Sequence, residues 1–143
     1  MFIGEYNHTL DNKNRVSMPA KFRGYFGGSF VMTKGLDNCL FVYPMEEWSN
    51  IESKLKNLPM TNKDARAFVR FFFAGATECE IDKQGRTLIP NNLKEFAKID
   101  KDVVIIGVST RVEIWGLEEW NKFNNDADIT YEEVAEKMSQ LGI

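Results

Sequence analysis

The sequence predicts an α+β fold in which two similar β-hairpin units pack against each other and are flanked by helices. A nine-residue motif occurs at 11–19 and again at 82–90, 71 positions later, and an internal repeat is the first guide to architecture. Apolar and polar residues alternate before both copies, which is typical of strands. Each repeated unit covers about 45 residues, too few to close a core alone, so we expect an intrachain pseudo-dimer.

The composition predicts a compact protein of the cytoplasm. The chain has 143 residues, of which 43% are hydrophobic and 13% aromatic, enough for a core. No apolar run reaches membrane-spanning length, and the N-terminus does not resemble a signal peptide. Two cysteines and one histidine form neither a disulfide framework nor a zinc pattern. We therefore expect no membrane, no metal and no cofactor.

Each copy of the motif predicts a tight turn followed by an arginine. An aspartate opens the turn, where its carboxylate can accept backbone N–H groups. Asn or Gly stands three positions later, and these residues best tolerate positive φ. We assign turn-structuring roles to Asp11, Asn14, Asp82 and Gly85. The return strand then begins with Arg15 in the first copy and with Arg86 in the second.

The first unit reads as a hairpin, a short helix and two strands. Alternation predicts a hairpin at 5–18, and Pro19 suits the first turn of a helix that extends to Phe26. Strands are predicted at 30–33 and 39–43, separated by a turn.

A helical connector follows the first unit. One helix is predicted from Pro44 to about Leu58, and a second from an N-cap at Thr61 to about Phe73. The run 68–73 is apolar nearly all round, and a helix of that kind needs cover on more than one side.

The second unit repeats the plan and a tail ends the chain. We predict a hairpin at 76–89, a helix at 90–97, strands at 103–108 and 111–115, and a helix through 118–120. A capping box at Thr130 starts a last amphipathic helix. The predicted domains are a first unit at 5–47, a helical connector at 48–75, a second unit at 76–119 and a helical tail at 120–143.

Catalytic chemistry has little support in this sequence. His8 falls at an inward strand position, and Cys39 and Cys79 lie among apolar residues, as inert core thiols do. Asp11 and Asp82 could share a metal ion, which leaves a metal-dependent hydrolase as one alternative. Capping of the two turns explains these carboxylates better, because each comes with its own Asn or Gly.

Nucleic-acid binding has more support, although the net charge is −3. Residues 1–75 hold ten Lys/Arg and seven Asp/Glu, whereas 76–143 hold eight and fourteen, so a polyanion site is expected near the first motif. Arginine can bind phosphate or guanine with two hydrogen bonds, and lysine anchors phosphates. The candidate DNA-binding residues are Lys13, Arg15, Lys21, Arg23, Lys83 and Arg86. The alternatives are that each Arg only braces its turn, or that the turns bind an acidic protein partner.

Several motifs together resemble the bacterial MraZ family. They are the opening run 1–6, the run from Asp11 through Arg15 to Arg23, the segments 35–40, 64–66 and 71–76, and the second motif at 82–86. The resemblance extends to about Trp120 and leaves only the tail outside it.

The resemblance implies two swapped-hairpin domains of the SpoVT-AbrB type, which form an intrachain pseudo-dimeric β-barrel flanked by helices. It also implies a DNA-binding transcriptional regulator of the division and cell-wall gene cluster. Such a protein is a homo-oligomer, a ring, that binds double-stranded DNA at direct repeats in that cluster's promoter. It is no enzyme, has no small-molecule substrate, and is cytoplasmic and nucleoid-associated. The resemblance places DNA contacts on Arg15 and Arg86, with Lys13 and Lys83 as flanking phosphate contacts.

Overall fold

The computed structural model describes residues 1–142 as eight strands and six α-helices. Six strands form one antiparallel sheet in the order β1-β7-β8-β4-β3-β5, and β2 and β6 form a separate two-stranded ribbon. The predicted α+β class is confirmed. None of the helices in this described part is long and apolar enough to cross a membrane.

The first half of the chain contains four strands and three helices. In chain order these are β1 (Phe2–Thr9), β2 (Arg15–Ser17), α1 (Ala20–Phe26), β3 (Phe30–Lys34), β4 (Leu40–Pro44), α2 (Met45–Lys56) and α3 (Lys63–Gly75). The second half repeats this order with β5 (Thr77–Cys79), β6 (Arg86–Leu88), α4 (Asn91–Phe96), β7 (Asp102–Ser109), β8 (Arg111–Gly116), α5 (Leu117–Asn124) and α6 (Tyr131–Met138), followed by a 3-10 turn at Ser139–Leu141.

The strand order carries a pseudo-two-fold relation between the halves. Exchanging β1 with β5, β3 with β7 and β4 with β8 gives the same sheet read from the other edge. The β4–β8 and β2–β6 pairs lie on the pseudo-axis, because each joins one strand to its own repeat mate. The predicted intrachain pseudo-dimer is confirmed by this pairing.

The predicted hairpins at 5–18 and 76–89 are wrong in their pairing, although their turns form. After the first turn, β2 leaves β1 and pairs with β6, while β1 pairs along its whole length with β7. In the same way β5 pairs with β3 rather than with β6. The reason is burial: pairing across the repeats places Val16 and Thr87 opposite each other on a face that is almost fully covered.

The sheet does not close into the predicted barrel in the described part of the chain. Backbone hydrogen bonds join six strands in one open sheet and two in the ribbon, without a ladder between the two sets. The ribbon strands have three residues each. Their backbone N–H and C=O groups form hydrogen bonds with each other and, within residues 1–142, not with the large sheet. The ribbon therefore covers one face of the sheet as a separate layer.

Two apolar cores lie on the two faces of the sheet. The inner core lies under the ribbon, α1 and α4, and includes Met18, Phe22, Phe30, Ile89 and Leu93. The outer core lies under α2, α3 and α5 and includes Phe41, Tyr43, Trp48, Phe72 and Trp115. Strands covered on both faces explain the continuous apolar runs of β3, β4 and β7.

The start of α3 differs from the prediction by one residue. Asn62 is the N-cap, and its Oδ1 accepts the Ala65 N–H at 3.0 Å, so the predicted cap at Thr61 is wrong. Asn and Thr both cap well, and the Asn62 N–H also closes a turn by donating to the Pro59 carbonyl at 3.1 Å. The apolar run of α3 is covered on one side only: Phe72 is buried, whereas Phe71 is 65% exposed.

Candidate nucleic-acid interface

The β2–β6 ribbon brings the two motifs together at one end of the molecule. Its register places Arg15 opposite Leu88 and Ser17 opposite Arg86. Since side chains alternate along a strand, both arginines lie on the outward face and Val16 and Thr87 on the buried face. Diagonal neighbours in such a ladder have Cα atoms about 7–8 Å apart. The ribbon therefore presents two arginines side by side.

The first turn is built on the Asp11 carboxylate. The backbone N–H groups of Lys13 and Arg15 donate to Asp11 Oδ1 at 2.9 Å each, and Arg15 Nε donates to Oδ2 at 2.7 Å. The Arg15 carbonyl accepts the Asp11 N–H at 2.9 Å. Asn14 adopts φ 60°, in the left-handed region. One carboxylate thus shapes the turn and orients the arginine that follows it.

The second turn repeats this geometry. Gln84 and Arg86 donate their N–H groups to Asp82 Oδ1 at 2.9 Å each, and Arg86 Nε donates to Oδ2 at 3.0 Å. Gly85 adopts φ 81° at the position of Asn14. The turns are also joined to each other, because Met18 N–H donates to the Gly85 carbonyl and Ile89 N–H to the Asn14 carbonyl, both at 2.9 Å.

These hydrogen bonds lower the pKa of both aspartates. For Asp11 the largest effect comes from the Arg15 N–H, with further lowering by the Lys13 N–H and the Arg15 guanidinium. The Arg86 N–H lowers the pKa of Asp82 most, followed by the Gln84 N–H. Hydrogen bonds to the charged form favour that form, so both turns hold ionised carboxylates at neutral pH.

The two arginines are not held equivalently. Arg86 Nη1 lies 3.7 Å from Asp11 Oδ2, in addition to the bond between Arg86 Nε and Asp82. Arg86 Nη2 also contacts the Gln84 side-chain oxygen. Arg15 makes its ion pair with Asp11 alone among the described residues. Arg86 is therefore restrained by three side chains and Arg15 by one.

A cation from the short helix of each repeat lies against the turn of the other repeat. Arg23 of α1 donates Nε to the Met18 carbonyl at 2.8 Å, and its guanidinium packs where a Cβ of Gly85 would stand. Lys94 of α4 donates Nζ to Asn14 Oδ1 at 3.1 Å. Arg23 and Lys94 are 71 positions apart, so the two contacts are related by the pseudo-two-fold.

The comparison with known proteins agrees with this duplicated geometry. A family model described as "MraZ protein, putative antitoxin-like" matches the chain twice, over residues 1–71 and 72–141. The chain belongs to the MraZ family. It is 66% identical over the full length of both chains to proteins named "Transcriptional regulator MraZ" from Clostridium tetani and from Thermoanaerobacter pseudethanolicus. A relative with the same name from Alkaliphilus metalliredigens is 59% identical, again over the full length of both chains.

The other predicted cations of this MraZ-family chain differ in their position relative to the two turns. Lys13 and Lys83 are exposed within the turns themselves. Lys21 is exposed on α1, but residues two apart on a helix face different directions, so Lys21 does not share the contacts of Arg23. The sequence analysis missed Lys94, although its offset of 71 from Arg23 was a signal that could have identified it.

The structure gives the carboxylates of both turns and the two thiols structural surroundings. Asp11 and Asp82 use both carboxylate oxygens within their turns, and no described cluster of three or more His, Cys, Asp and Glu could hold a metal ion. Cys39 and Cys79 are buried, and burial raises the pKa of the Cys79 thiol to about 11. A thiol with a raised pKa is a poor nucleophile at neutral pH.

Proposed function

We propose that the chain is a sequence-specific DNA-binding transcriptional regulator without catalytic activity. The observation that carries the proposal is the two-stranded ribbon with Arg15 and Arg86 on its outward face. The major groove of B-DNA admits a two-stranded ribbon, and arginine binds the O6 and N7 atoms of guanine with two hydrogen bonds. The names of the relatives support the same function.

Each residue of the interface has a distinct proposed role. Arg15 and Arg86 read bases or clamp phosphates, and their aspartates hold the guanidinium groups in place. The remaining cations bind phosphates beside the groove and set the register on the duplex; they are Lys13, Lys21, Arg23, Lys83 and Lys94. Asn14 and Gly85 give both turns the left-handed residue that keeps the arginine at the ribbon's edge.

We further propose that the protein acts as a homo-oligomeric ring at direct repeats in the promoter of the division and cell-wall gene cluster. Family membership supports the choice of target. A patch of a few cations binds weakly and loses affinity in salt, whereas several patches on one oligomer act together at tandem sites. In this proposal the domains span 5–47 and 76–119, with the connector at 48–75 and the tail at 120–143, and the protein is cytoplasmic and nucleoid-associated.

DNA titration of three single-cation variants tests the proposal. Fluorescence anisotropy with a promoter fragment that contains the direct repeats, and with a scrambled fragment, measures affinity and specificity. We expect Arg15→Ala to weaken binding to the promoter by about 10-fold to 100-fold, since a good bidentate contact contributes about 1–3 kcal/mol. Arg86→Ala should weaken binding less, because Arg86 is already restrained by Asp11 and Asp82. Lys122→Ala removes an exposed cation of α5 that pairs with Glu119 and should leave binding unchanged.

The salt dependence of binding tests whether the cations contact phosphates. The logarithm of the affinity should fall linearly with the logarithm of salt concentration, with a slope of about −0.9 for each phosphate contacted. Equal affinity of wild type and Arg15→Ala, with unchanged folding by circular dichroism, would refute the assignment of the reader. Retention of a protein by the wild-type turns, with no preference for the promoter fragment, would favour an acidic protein partner instead.

A further inference from the structure

An open apolar groove lies on the outer face of the molecule. We call it the phenylalanine groove, because Phe68, Phe71, Phe72 and Phe96 line it. The cavity measures about 540 Å³ and is bounded by α2, α3, α4 and the β3–β4 turn. Its lining is almost entirely apolar, apart from Lys34 and Lys54.

The surface around this groove is more apolar than a free protein surface usually is. Phe71 is 65% exposed, Leu36 is 63% exposed and Phe68 is 42% exposed, and Leu36 and both phenylalanines line the groove. A contiguous apolar patch of this kind marks an interaction site. The Lys34 ammonium lies 5.9 Å from the ring centroid of the exposed Phe71 and 5.4 Å from that of the half-buried Phe96, so a positive charge lies beside both rings.

The tail of the chain has an apolar face that its own protomer leaves open. Tyr131, Val134, Met138 and Leu141 follow at helical spacing and form a stripe along α6 and the 3-10 turn. None of the residues of α6 is buried. Phe123 and Ile129 line the same open cleft as this stripe, so the apolar surface continues beyond the helix.

The two family repeats show what α6 lacks. The first match ends within α3 and the second ends just after α6, so the two helices close equivalent repeats. α3 packs on its own sheet, where Phe72 is buried and its carbonyl accepts the Thr33 hydroxyl at 2.7 Å. α6 makes no equivalent contact within residues 1–142. The apolar stripe of α6 has the spacing of a packed helix, but no described part of its own chain buries it.

The groove and the tail carry opposite charge. The charged residues that line the groove are Lys34 and Lys54, and its lining includes no Asp or Glu. Residues 126–141 hold five Asp/Glu and one Lys. An amphipathic helix binds an apolar groove through anchors at i, i+3 or i+4, and i+7, and complementary charge at the rim fixes the partner and its orientation.

We propose that α6 of one copy docks into the phenylalanine groove of a second copy, with its stripe on the phenylalanines and its carboxylates beside Lys34 and Lys54. The contact joins two different surfaces, so it is heterologous, and a repeated heterologous contact forms a ring when the rotation between neighbouring copies closes. This inference rests on the homo-oligomer of the proposed function and assigns the contact that builds it. It leaves the ribbon of every copy uncovered.

Two pairs of variants test the contact by its effect on mass. Sedimentation velocity of the full chain should show an oligomer for wild type, and a shift toward the 16.5 kDa monomer for Phe71→Asp and for Val134→Asp. Ile3→Asp adds the same charge at an exposed apolar position on β1, and Gln140→Asp adds it on the polar side of the tail; both controls should keep the wild-type mass. Circular dichroism verifies that each variant is folded.

Cross-linking decides which chain supplies the helix. The Leu36→Cys and Val134→Cys substitutions are made in separate chains. The two variants are mixed in equal amounts and treated with a short bis-maleimide. Cys39 and Cys79 are buried, so the reagent does not react with them. A covalent dimer that contains one chain of each kind is expected. In a Leu36→Cys, Val134→Cys double variant, an internal cross-link without dimers would overturn the proposal by showing that α6 docks in its own chain.

The remaining outcomes separate this inference from the proposed function. A monomeric wild type, or an oligomer that both Phe71→Asp and Val134→Asp leave intact, overturns the α6 contact and leaves the DNA reader untouched. A monomeric Phe71→Asp variant that still binds a single DNA repeat, but loses at least about 10-fold in affinity at tandem repeats, supports both. An Arg15→Ala variant with unchanged DNA affinity and the wild-type mass refutes the reader alone.

Discussion

Arg15 and Arg86 have the same sequence context and different surroundings. Asp11 contacts both arginines, at 2.7 Å and 3.7 Å, whereas Asp82 forms its ion pair with Arg86 alone among the described residues. If the Arg86 guanidinium turned toward DNA, it would break contacts with two carboxylates, whereas that of Arg15 would break contact with one. The energetic cost of turning is therefore larger for Arg86. The geometry thus agrees with the charge count of the two halves, from which a polyanion site was predicted near the first motif.

Acid should weaken the fold through the two turn carboxylates. The folded-state pKa of Asp11 lies below its usual value of about 3.9, so the stabilisation is present above that value and is lost as the pH falls through the lower, folded-state pKa. Asp11→Asn removes the titration. The free energy of unfolding of this variant, measured by urea denaturation between pH 5 and pH 2.5, should therefore fall less steeply with acid than that of wild type.

A neighbouring carboxylate provides the control for this prediction. Glu80 is exposed two residues before Asp82, and none of the turn hydrogen bonds ends on it. Glu80→Gln should retain the wild-type acid dependence. An identical pH profile for Asp11→Asn and wild type would mean that the turn carboxylate does not couple protonation to folding.

The sequence predicted the turn residues because their chemistry is local. An aspartate that caps a turn and an Asn or Gly at positive φ act within five residues, and the side-chain types alone identify them. Lys94 was not predicted, because its contact with Asn14 spans 80 residues. The lysine reaches the first turn because the short helix of each repeat packs against the turn of the other repeat.

At the scale of elements, α1 packs directly against the second turn. Gly85 is left-handed at φ 81°, and the Arg23 guanidinium occupies the space beside it. A Cβ in that conformation costs about 1–2 kcal/mol, and it would also displace Arg23 from the turn.

Two alanine substitutions distinguish this close packing from general tolerance. Gly85→Ala should lower the free energy of unfolding by about 1–2 kcal/mol. Gly24→Ala lies in α1, where an added Cβ meets nothing within 4 Å, and should stabilise the protein by up to about 1 kcal/mol. Urea denaturation measures both, and equal stability of the two variants would contradict the strained turn.

The strands were predicted from alternation, but their partners were not. Alternation shows which side chains share a face and carries no information on which strand lies next to it. The turns at 11–15 and 82–86 favour hairpins locally, yet all of β1 pairs with β7 and β2 pairs with β6. The pairing across the repeats places Val16 on the buried face, where it joins the inner core. Helices α2 and α4 were easier to predict, since the prolines that precede them, Pro44 and Pro90, are local signals.

At the scale of the whole molecule, neither half has a complete sheet. Within residues 1–142, the four pairings β1–β7, β2–β6, β3–β5 and β4–β8 join one repeat to the other, and only β3–β4 and β7–β8 stay within a repeat. Residues of both halves alternate through the inner core. The molecule is therefore one folding unit, although its sequence is a repeat.

Separate halves should not fold. Fragments 1–75 and 76–143, expressed alone, are expected to lack cooperative thermal unfolding and dispersed amide signals in NMR spectra, because each exposes the strand edges that the other covers. Mixing them should restore the spectrum of the intact chain. A cooperative transition in either fragment alone would show that one repeat closes its own core.

The two ribbon strands, each with its turn, form two arms of one binding surface. Because both arms belong to one chain, the sequence of each can change independently of the other. In an assembly of identical subunits, one substitution alters both arms of every symmetric pair, and the recognised sequence has to mirror that symmetry. Here β2 and β6 come from one chain, and Asn14 already differs from Gly85 across the pseudo-axis. A mutation can retune one arm while its mate keeps the original contact, so the recognised sequence can evolve one half at a time.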